Sequence, residues 1–205
     1  MFCSASDPVA LEQAACLLRQ GGLIAFPTET YYGLGVDPFN VKALERLFQV
    51  KQRQPNKPVL VLVAGQAQVA ELVAEVPAIL ARLMTTFWPG PLTLVFPGRA
   101  LLPLLLTGGT GNIGIRHSPH PLAACLLSAF GGPITATSAN RSGLPPATTA
   151  AAIQESLGSE VDLILDGGTT PGGTGSTLVG CDKDQRLYCL RAGQVSFTEI
   201  LQVIY

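Results

Sequence analysis

The stretch Leu23-Ile24-Ala25-Phe26-Pro27-Thr28-Glu29-Thr30-Tyr31-Tyr32-Gly33-Leu34-Gly35 carries the reading of the fold. Its first four residues form an apolar run that reads as a buried strand, ended by Pro27. Residues 28–37 then read as a polar, glycine-containing loop. Working outward, the pattern repeats. Residues 58–63, 92–96, 112–116, 133–137 and 161–165 read as strands, with two more near 176–180 and 186–190. Helical patterns lie between them. Asp7 suits an N-cap and Pro8 the first helical position, ahead of an apolar stripe through Leu11, Ala14 and Leu18 that Gly21-Gly22 stop. Asn40 caps a second helix with Leu44, Leu47 and Phe48 inward. Further helices are expected at about 66–75, 77–87, 119–130, 148–157 and 197–204. Strands and helices intermix with no linker and no repeat. The expectation is one layered domain over residues 1–205, of α+β (mixed α/β) class, with a mixed sheet and helices on its faces.

Composition narrows the function classes. Charged residues make up 13% of the chain, against roughly 25% in ordinary soluble proteins. The 47% hydrophobic content excludes a disordered chain, and the scarcity of charge speaks against a coiled coil. A net charge of −1 argues against a broad nucleic-acid footprint. The five cysteines contain no C-x-x-C pair and are odd in number, which points to a reducing cytosol, not a disulfide framework. No secretory signal and no spanning helix are expected, because no basic segment precedes an apolar one and no apolar run reaches about 18 residues. Two histidines, His117 and His120, are too few for a closed zinc site and lie beside prolines on one short segment, so a Ser-His-Asp reading fails. His120 reads as a helix start.

Four polar loops follow or flank apolar strands, where open α/β sheets hold ligands. Residues 28–35 offer threonine hydroxyls and glycines that admit a ligand to the backbone, or else a turn with capping threonines. Residues 46–57 hold four cations, Arg46, Lys51, Arg53 and Lys57, and no acid. Prolines stiffen the end of that segment, which suits a polyphosphate, while a solvated helix end is the plain alternative. Ser138-Ala139-Asn140-Arg141-Ser142-Gly143 presents hydroxyl and amide groups straight after a strand, for phosphate, ribose or base, or as turn caps. Residues 166–177 hold five glycines and read as an anion-binding nest or a flexible loop. They match neither G-x-x-x-x-G-K-[ST] nor G-x-G-x-x-G. Arg116 and Arg191 end apolar strands, as surface or ligand residues.

Together these strings resemble the YrdC-type threonylcarbamoyl-AMP synthase family, also called TsaC. The resemblance runs from about residue 8 to residue 195. It is carried by residues 27–35 (Pro-Thr-Glu-Thr-Tyr-Tyr-Gly-Leu-Gly), Lys51-x-Arg53, Phe87-Trp88-Pro89-Gly90-Pro91-Leu92-Thr93, Arg116, Ser138-x-Asn140 and Ser176-Thr177. It implies a three-layer fold with a twisted mixed parallel and antiparallel sheet, flanked by helices around a concave active site. It implies a nucleotidyltransferase that makes L-threonylcarbamoyl-adenylate and pyrophosphate from L-threonine, bicarbonate or CO2, and ATP. That product feeds the threonylcarbamoyl modification of adenosine 37 in tRNA, the transfer being made by a downstream protein complex. By motif position, Thr30, Arg116 and Ser176 hold threonine and the backbone of Ala136 borders it. Lys51, Arg53, Lys57, Ser138, Asn140 and Arg191 contact ATP, and Lys51, Arg53, Ser138 and Asn140 are the expected catalytic group. Mg²⁺ arrives with ATP and no protein metal ligand is expected. The length matches the short, single-domain form of the family, working in the cytoplasm. The chain departs from the pattern at Leu62, Asn112, Pro146 and Gly175, where relatives carry His, two hydroxyl residues and an acid. Two other functions fit less of the sequence: an RNA-binding module using the basic loop, with weak tRNA binding, and the carbamoyl-adenylate-forming domain of hydrogenase maturation.

Overall fold

The computed structural model describes residues 2–4 and 8–204. The chain runs β1 (Phe2–Ser4), α1 (Pro8–Arg19), β2 (Ile24–Pro27), β3 (Tyr32–Gly35), α2 (Val41–Lys51), β4 (Val61–Leu62), α3 (Gln66–Leu72), α4 (Ala78–Phe87), β5 (Leu92–Pro97) and α5 (Leu104–Thr107). It continues β6 (Asn112–Arg116), α6 (Pro121–Phe130), β7 (Ile134–Thr135), β8 (Thr137–Ser138), α7 (Ala150–Leu157), β9 (Leu163–Asp166), β10 (Thr177–Cys181), β11 (Leu187–Arg191) and α8 (Phe197–Ile204). The expected cap Asp7 lies outside the described residues. Asn40 does cap α2, its side chain accepting from Ala43 N at 3.1 Å. His120 caps α6, accepting from Leu122 N at 3.3 Å.

The strands pair into a mixed architecture of two sheets, ordered β1-β9-β2-β3-β8 and β11-β10-β5-β6-β4-β7. Side chains alternate across the first sheet as strand geometry requires. Ile24, Phe26, Leu163 and Leu165 face Ala14 and Leu18 of α1 and Leu126 and Leu127 of α6. Leu23, Ala25 and Ile164 face the other way, into a larger core with Leu44 and Leu47 of α2 and Ile153 and Leu157 of α7. Each such fully buried aliphatic side chain contributes about 2 kcal/mol.

Three sequence expectations change. Residues 32–35, read as loop, form β3, an antiparallel partner of β2 with Ile24 opposite Gly35 and Pro27 opposite Tyr32. Gly35 serves close packing at this point. A Cβ at Gly35 would stand 2.7 Å from the Phe26 ring and 2.8 Å from Ile134. The single strand expected at 133–137 is two short ones. β7 pairs with β4 in the second sheet, and β8 with β3 in the first. At the switch, Thr135 N donates to Val36 O at 3.1 Å, and Val36 N donates to Thr135 Oγ1 at 2.9 Å. The strand expected at 58–63 shrinks to Val61–Leu62, paired on both sides.

The switch of residues 134–138 between sheets brings the loop after β2, the ends of β4 and β6, and Ser138 to one place. α2 fixes the far side of this junction. Gln52, in the left-handed region at φ 50, ends the helix. The carbonyls of its last turn are then taken by the next loop: Ser142 N donates to Lys51 O at 2.7 Å, and Arg141 Nη1 to Val50 O at 3.1 Å.

Candidate active site

A cavity of about 410 Å³ opens at this junction. Arg116, at the end of β6, is 3% exposed and lines it. Its Nε lies 3.2 Å from Glu29 Oε1, near enough to pair the charges but out of line for a hydrogen bond. Glu29 is itself held by the Ser118 hydroxyl, which donates to Oε2. Among the described residues the terminal nitrogens of Arg116 make no hydrogen bond, so they remain available to the cavity. Burial pushes the Arg116 guanidinium down from its ordinary range, Glu29 pulls it up, and Arg191 pushes it down again. A guanidinium survives such a shift as a cation.

Thr30 and Ser176 line the same cavity as Arg116, each in a hydroxyl pair. Thr30 Oγ1 lies 3.1 Å from Thr28 Oγ1, and the latter donates to Tyr31 O at 2.7 Å. Ser176 Oγ lies 2.8 Å from Thr93 Oγ1 across the β10–β5 pair. Arg191 reaches over from β11, its Nη2 donating to Ser176 O at 2.8 Å and to Ser176 Oγ at 3.0 Å. Ala136 borders the cavity where its N–H donates to Leu60 O at 2.9 Å. On the basic side, Arg53 folds over its own loop, Nη2 donating to Pro58 O at 2.7 Å. Burial lowers its pKa as well.

Of the expected site residues, Thr30, Arg53, Arg116, Ala136, Ser138, Ser176 and Arg191 line the cavity. Lys51, Lys57 and Asn140 do not. Lys57 is exposed at the end of its loop. Lys51 is 2% exposed and buries its ammonium behind Ser138. Its Nζ donates to Ser138 O, to Asn140 O at 2.8 Å and to Asn140 Oδ1 at 3.3 Å. Burial, with the charge of Arg53 nearby, pushes it down to about 7.

The glycine-rich segment is tied down, not free. Gly172 N donates to Thr30 O at 2.7 Å, and Gln194 N to Gly175 O at 2.9 Å. The Tyr31 hydroxyl donates to Gly173 O. Tyr32, fully buried, donates to Gly168 O at 2.7 Å, and burial raises its phenol to about 12. The sequence alone assigns no individual role to Glu29, Ser118, Thr93, Tyr31 or Tyr32. Glu29 was findable as an acid in an otherwise uncharged loop after a strand. Thr93 stands in the sequence only as the last residue of a motif string, and Ser118 carries no signal, since only the tertiary fold brings it to the site. Of the departures, Leu62 is fully buried in the apolar core, Asn112 is exposed at the far end of β6, and Pro146 and Gly175 line the cavity.

No helix of the described residues is long and apolar enough to cross a membrane. Comparison with known proteins matches residues 16–193 to the Sua5/YciO/YrdC family, described as telomere recombination. The threonylcarbamoyl-AMP synthase of Bacillus subtilis is 39% identical over 203 residues, 98% of this chain and 58% of that protein. The threonylcarbamoyl-AMP synthase of Halorhodospira halophila is 39% identical over 160 residues, 78% of this chain and 84% of that protein. The crystal structure of Pyrococcus abyssi Sua5 complexed with L-threonine superposes with a TM-score of 0.90 at 37% identity, covering 95% of this chain and 57% of that one. The chain thus spans less than two thirds of some relatives and most of another.

Proposed function

The chain belongs to the Sua5/YciO/YrdC family, and from that premise we propose that it is an L-threonylcarbamoyladenylate synthase. Its substrates are L-threonine, bicarbonate or CO2, and ATP. The observation that carries the reading is Arg116. It is a buried guanidinium whose terminal nitrogens are unbonded among the described residues, and it lines a cavity that Arg53 and Arg191 also line. A planar fork of that kind matches a carboxylate through two parallel N–H···O bonds. The α-carboxylate of threonine binds there, with the hydroxyls of Thr30 and Ser176 on either side and the backbone at Ala136 closing the pocket. Arg53 and Arg191 take the phosphates of ATP, and Ser138 contacts the nucleotide.

The reaction then needs little covalent help from the protein. The neutral threonine amine adds to the carbon of CO2 and loses a proton, giving an N-carboxylate. An oxygen of that carboxylate attacks the α-phosphorus, and the bond to pyrophosphate breaks. Three anionic groups must meet, and fixed guanidinium charges in a partly dry cavity offset their repulsion without reorganising. Holding both substrates in one cavity supplies the proximity term. The described residues offer no cluster of three His, Cys, Asp or Glu to cage a divalent ion. Mg²⁺ enters this reading as ATP's own counter-ion, and no step here depends on it. The product passes to a tRNA-modifying transferase complex in the cytoplasm, and exposed Lys57 offers at most weak contact to tRNA.

The test is incubation with ATP, threonine and ¹³C-bicarbonate, followed by mass spectrometry. The reading expects an adenylate carrying one ¹³C, formed only when threonine is present. ATP turnover without such a product would sink it.

A further inference from the structure

We infer, resting on the amino-acid reading above, that Thr93 is a positioning residue: without lining the cavity, it fixes the hydroxyl of Ser176 as a pure donor toward the ligand. Thr93 sits on β5 and is fully buried. β10 pairs with β5 in parallel, and Thr177 N donates to Pro91 O at 3.0 Å, which holds the two strand starts in register. The Thr93 and Ser176 hydroxyl oxygens then lie 2.8 Å apart, so one proton stands between them. Among the described residues Thr93 Oγ1 has no other partner. If Ser176 donated, the Thr93 proton would be buried without an acceptor, a cost larger than the net gain of one hydrogen bond. Thr93 therefore donates. Arg191 Nη2 lies 3.0 Å from the same serine oxygen, and a guanidinium can only donate. Both lone pairs of Ser176 are thereby filled, and its own proton is left for the cavity it lines.

That polarity sorts ligand groups. A carboxylate oxygen only accepts, and at Ser176 it finds a proton with no competing use. An amine or carboxamide N–H set there meets an oxygen whose lone pairs are already taken. Arg116 attracts any anion to the same cavity, and Ser176 adds the demand that the oxygen beside it carry no hydrogen. With its lone pairs filled, Ser176 cannot take a proton from the substrate, so it has no part as a base. Thr93 acts only through this serine. Thr93→Ser keeps its hydroxyl, and Thr93→Val keeps its shape without one.

Two measurements on the whole chain test this, the first without ligand. In thermal unfolding, Ser176→Ala leaves the Thr93 proton without an acceptor and should lower Tm by about 4 °C. Adding Thr93→Val removes that orphan, so the double variant should melt above Ser176→Ala alone. A double variant that melts no higher overturns the inference. In calorimetric titration with L-threonine and L-threoninamide, Thr93→Val gives Ser176 a free lone pair and should narrow the preference for threonine about fivefold, the worth of one neutral hydrogen bond. Thr93→Ser should keep the wild-type preference, whereas a general loosening of the site would weaken both ligands together and leave their ratio unmoved. An unchanged preference in Thr93→Val overturns the inference. So does tighter threonine binding there, which would mean that Ser176 had been donating to Thr93. A wild type that binds no threonine overturns the functional reading, and the melting comparison then decides the Thr93 assignment by itself.

Discussion

At the scale of single residues, Glu29 holds the most consequence for its size. Its carboxylate is the charge partner of a nearly fully buried Arg116. Removing one member of such a pair leaves the other buried and uncompensated, at a cost of about 3 kcal/mol. Glu29→Ala should therefore lower the urea-unfolding free energy by that order and weaken threonine in the same titration series. A variant with wild-type stability would show that the pair is not structural. Lys51 makes a second prediction through pH. Its proton is held with a pKa of about 7 in the folded chain, against 10.5 ordinarily. Between those values the unfolded chain binds the proton and the folded chain does not, so Lys51's contribution to stability rises with pH across that window. Wild-type stability should gain on Lys51→Met between pH 7 and pH 9.5, and parallel curves would contradict the burial argument. The residue types of the site were legible as strings, because threonines, arginines and a serine-asparagine pair after strands are chemically distinctive. Which of them face a ligand was not legible. Lys51 and Asn140 differ from Arg53 and Ser138 only in which way the fold turns them.

Elements with a clear period were readable and those defined by a partner were not. α2 is recoverable from its apolar spacing and Asn40 cap, and α6 from its His120 start. β3 is hidden because Gly33 and Gly35 look like punctuation, while the reason for Gly35 is the closeness of Phe26 and Ile134. Gly35→Ala should accordingly destabilise by about 1–3 kcal/mol through overpacking against Phe26 and Ile134, seen as a lower Tm. β7 and β8 were read as one strand because the switch of sheets at Ala136 leaves no mark in local composition. The glycine-rich segment makes a different prediction. Its Gly172, Gly173 and Gly175 adopt φ of 70°, 88° and 74°, a region that other residues enter at a cost. It is held by Tyr31 and by backbone bonds to Thr30 and Gln194. Tyr31→Phe removes one hydrogen bond and should speed amide exchange at residues 172–176 with little change in global stability. Unchanged exchange there would mean that the tyrosine does not tether the segment.

Across the whole molecule, the low charge content is unevenly spent. A net charge of −1 is compatible with a cavity ringed by Arg53, Arg116 and Arg191, because the acids lie elsewhere except for Glu29. That arrangement could not be read from totals. It arises when the two sheets meet and gather strand ends that are distant in sequence. The central claim is that this one cavity joins an amino acid's carboxylate site to a nucleotide's phosphate site. It is tested most directly by pyrophosphate release from ATP in the presence of bicarbonate, with threonine, serine, glycine or no amino acid added. The account predicts release that depends on threonine, falls with the smaller amino acids, and is lost by at least about a hundredfold in Arg53→Ala, as for removal of a preorganised charge-stabilising donor. Release that is indifferent to the amino acid, or that survives in Arg53→Ala at the wild-type rate, would contradict it.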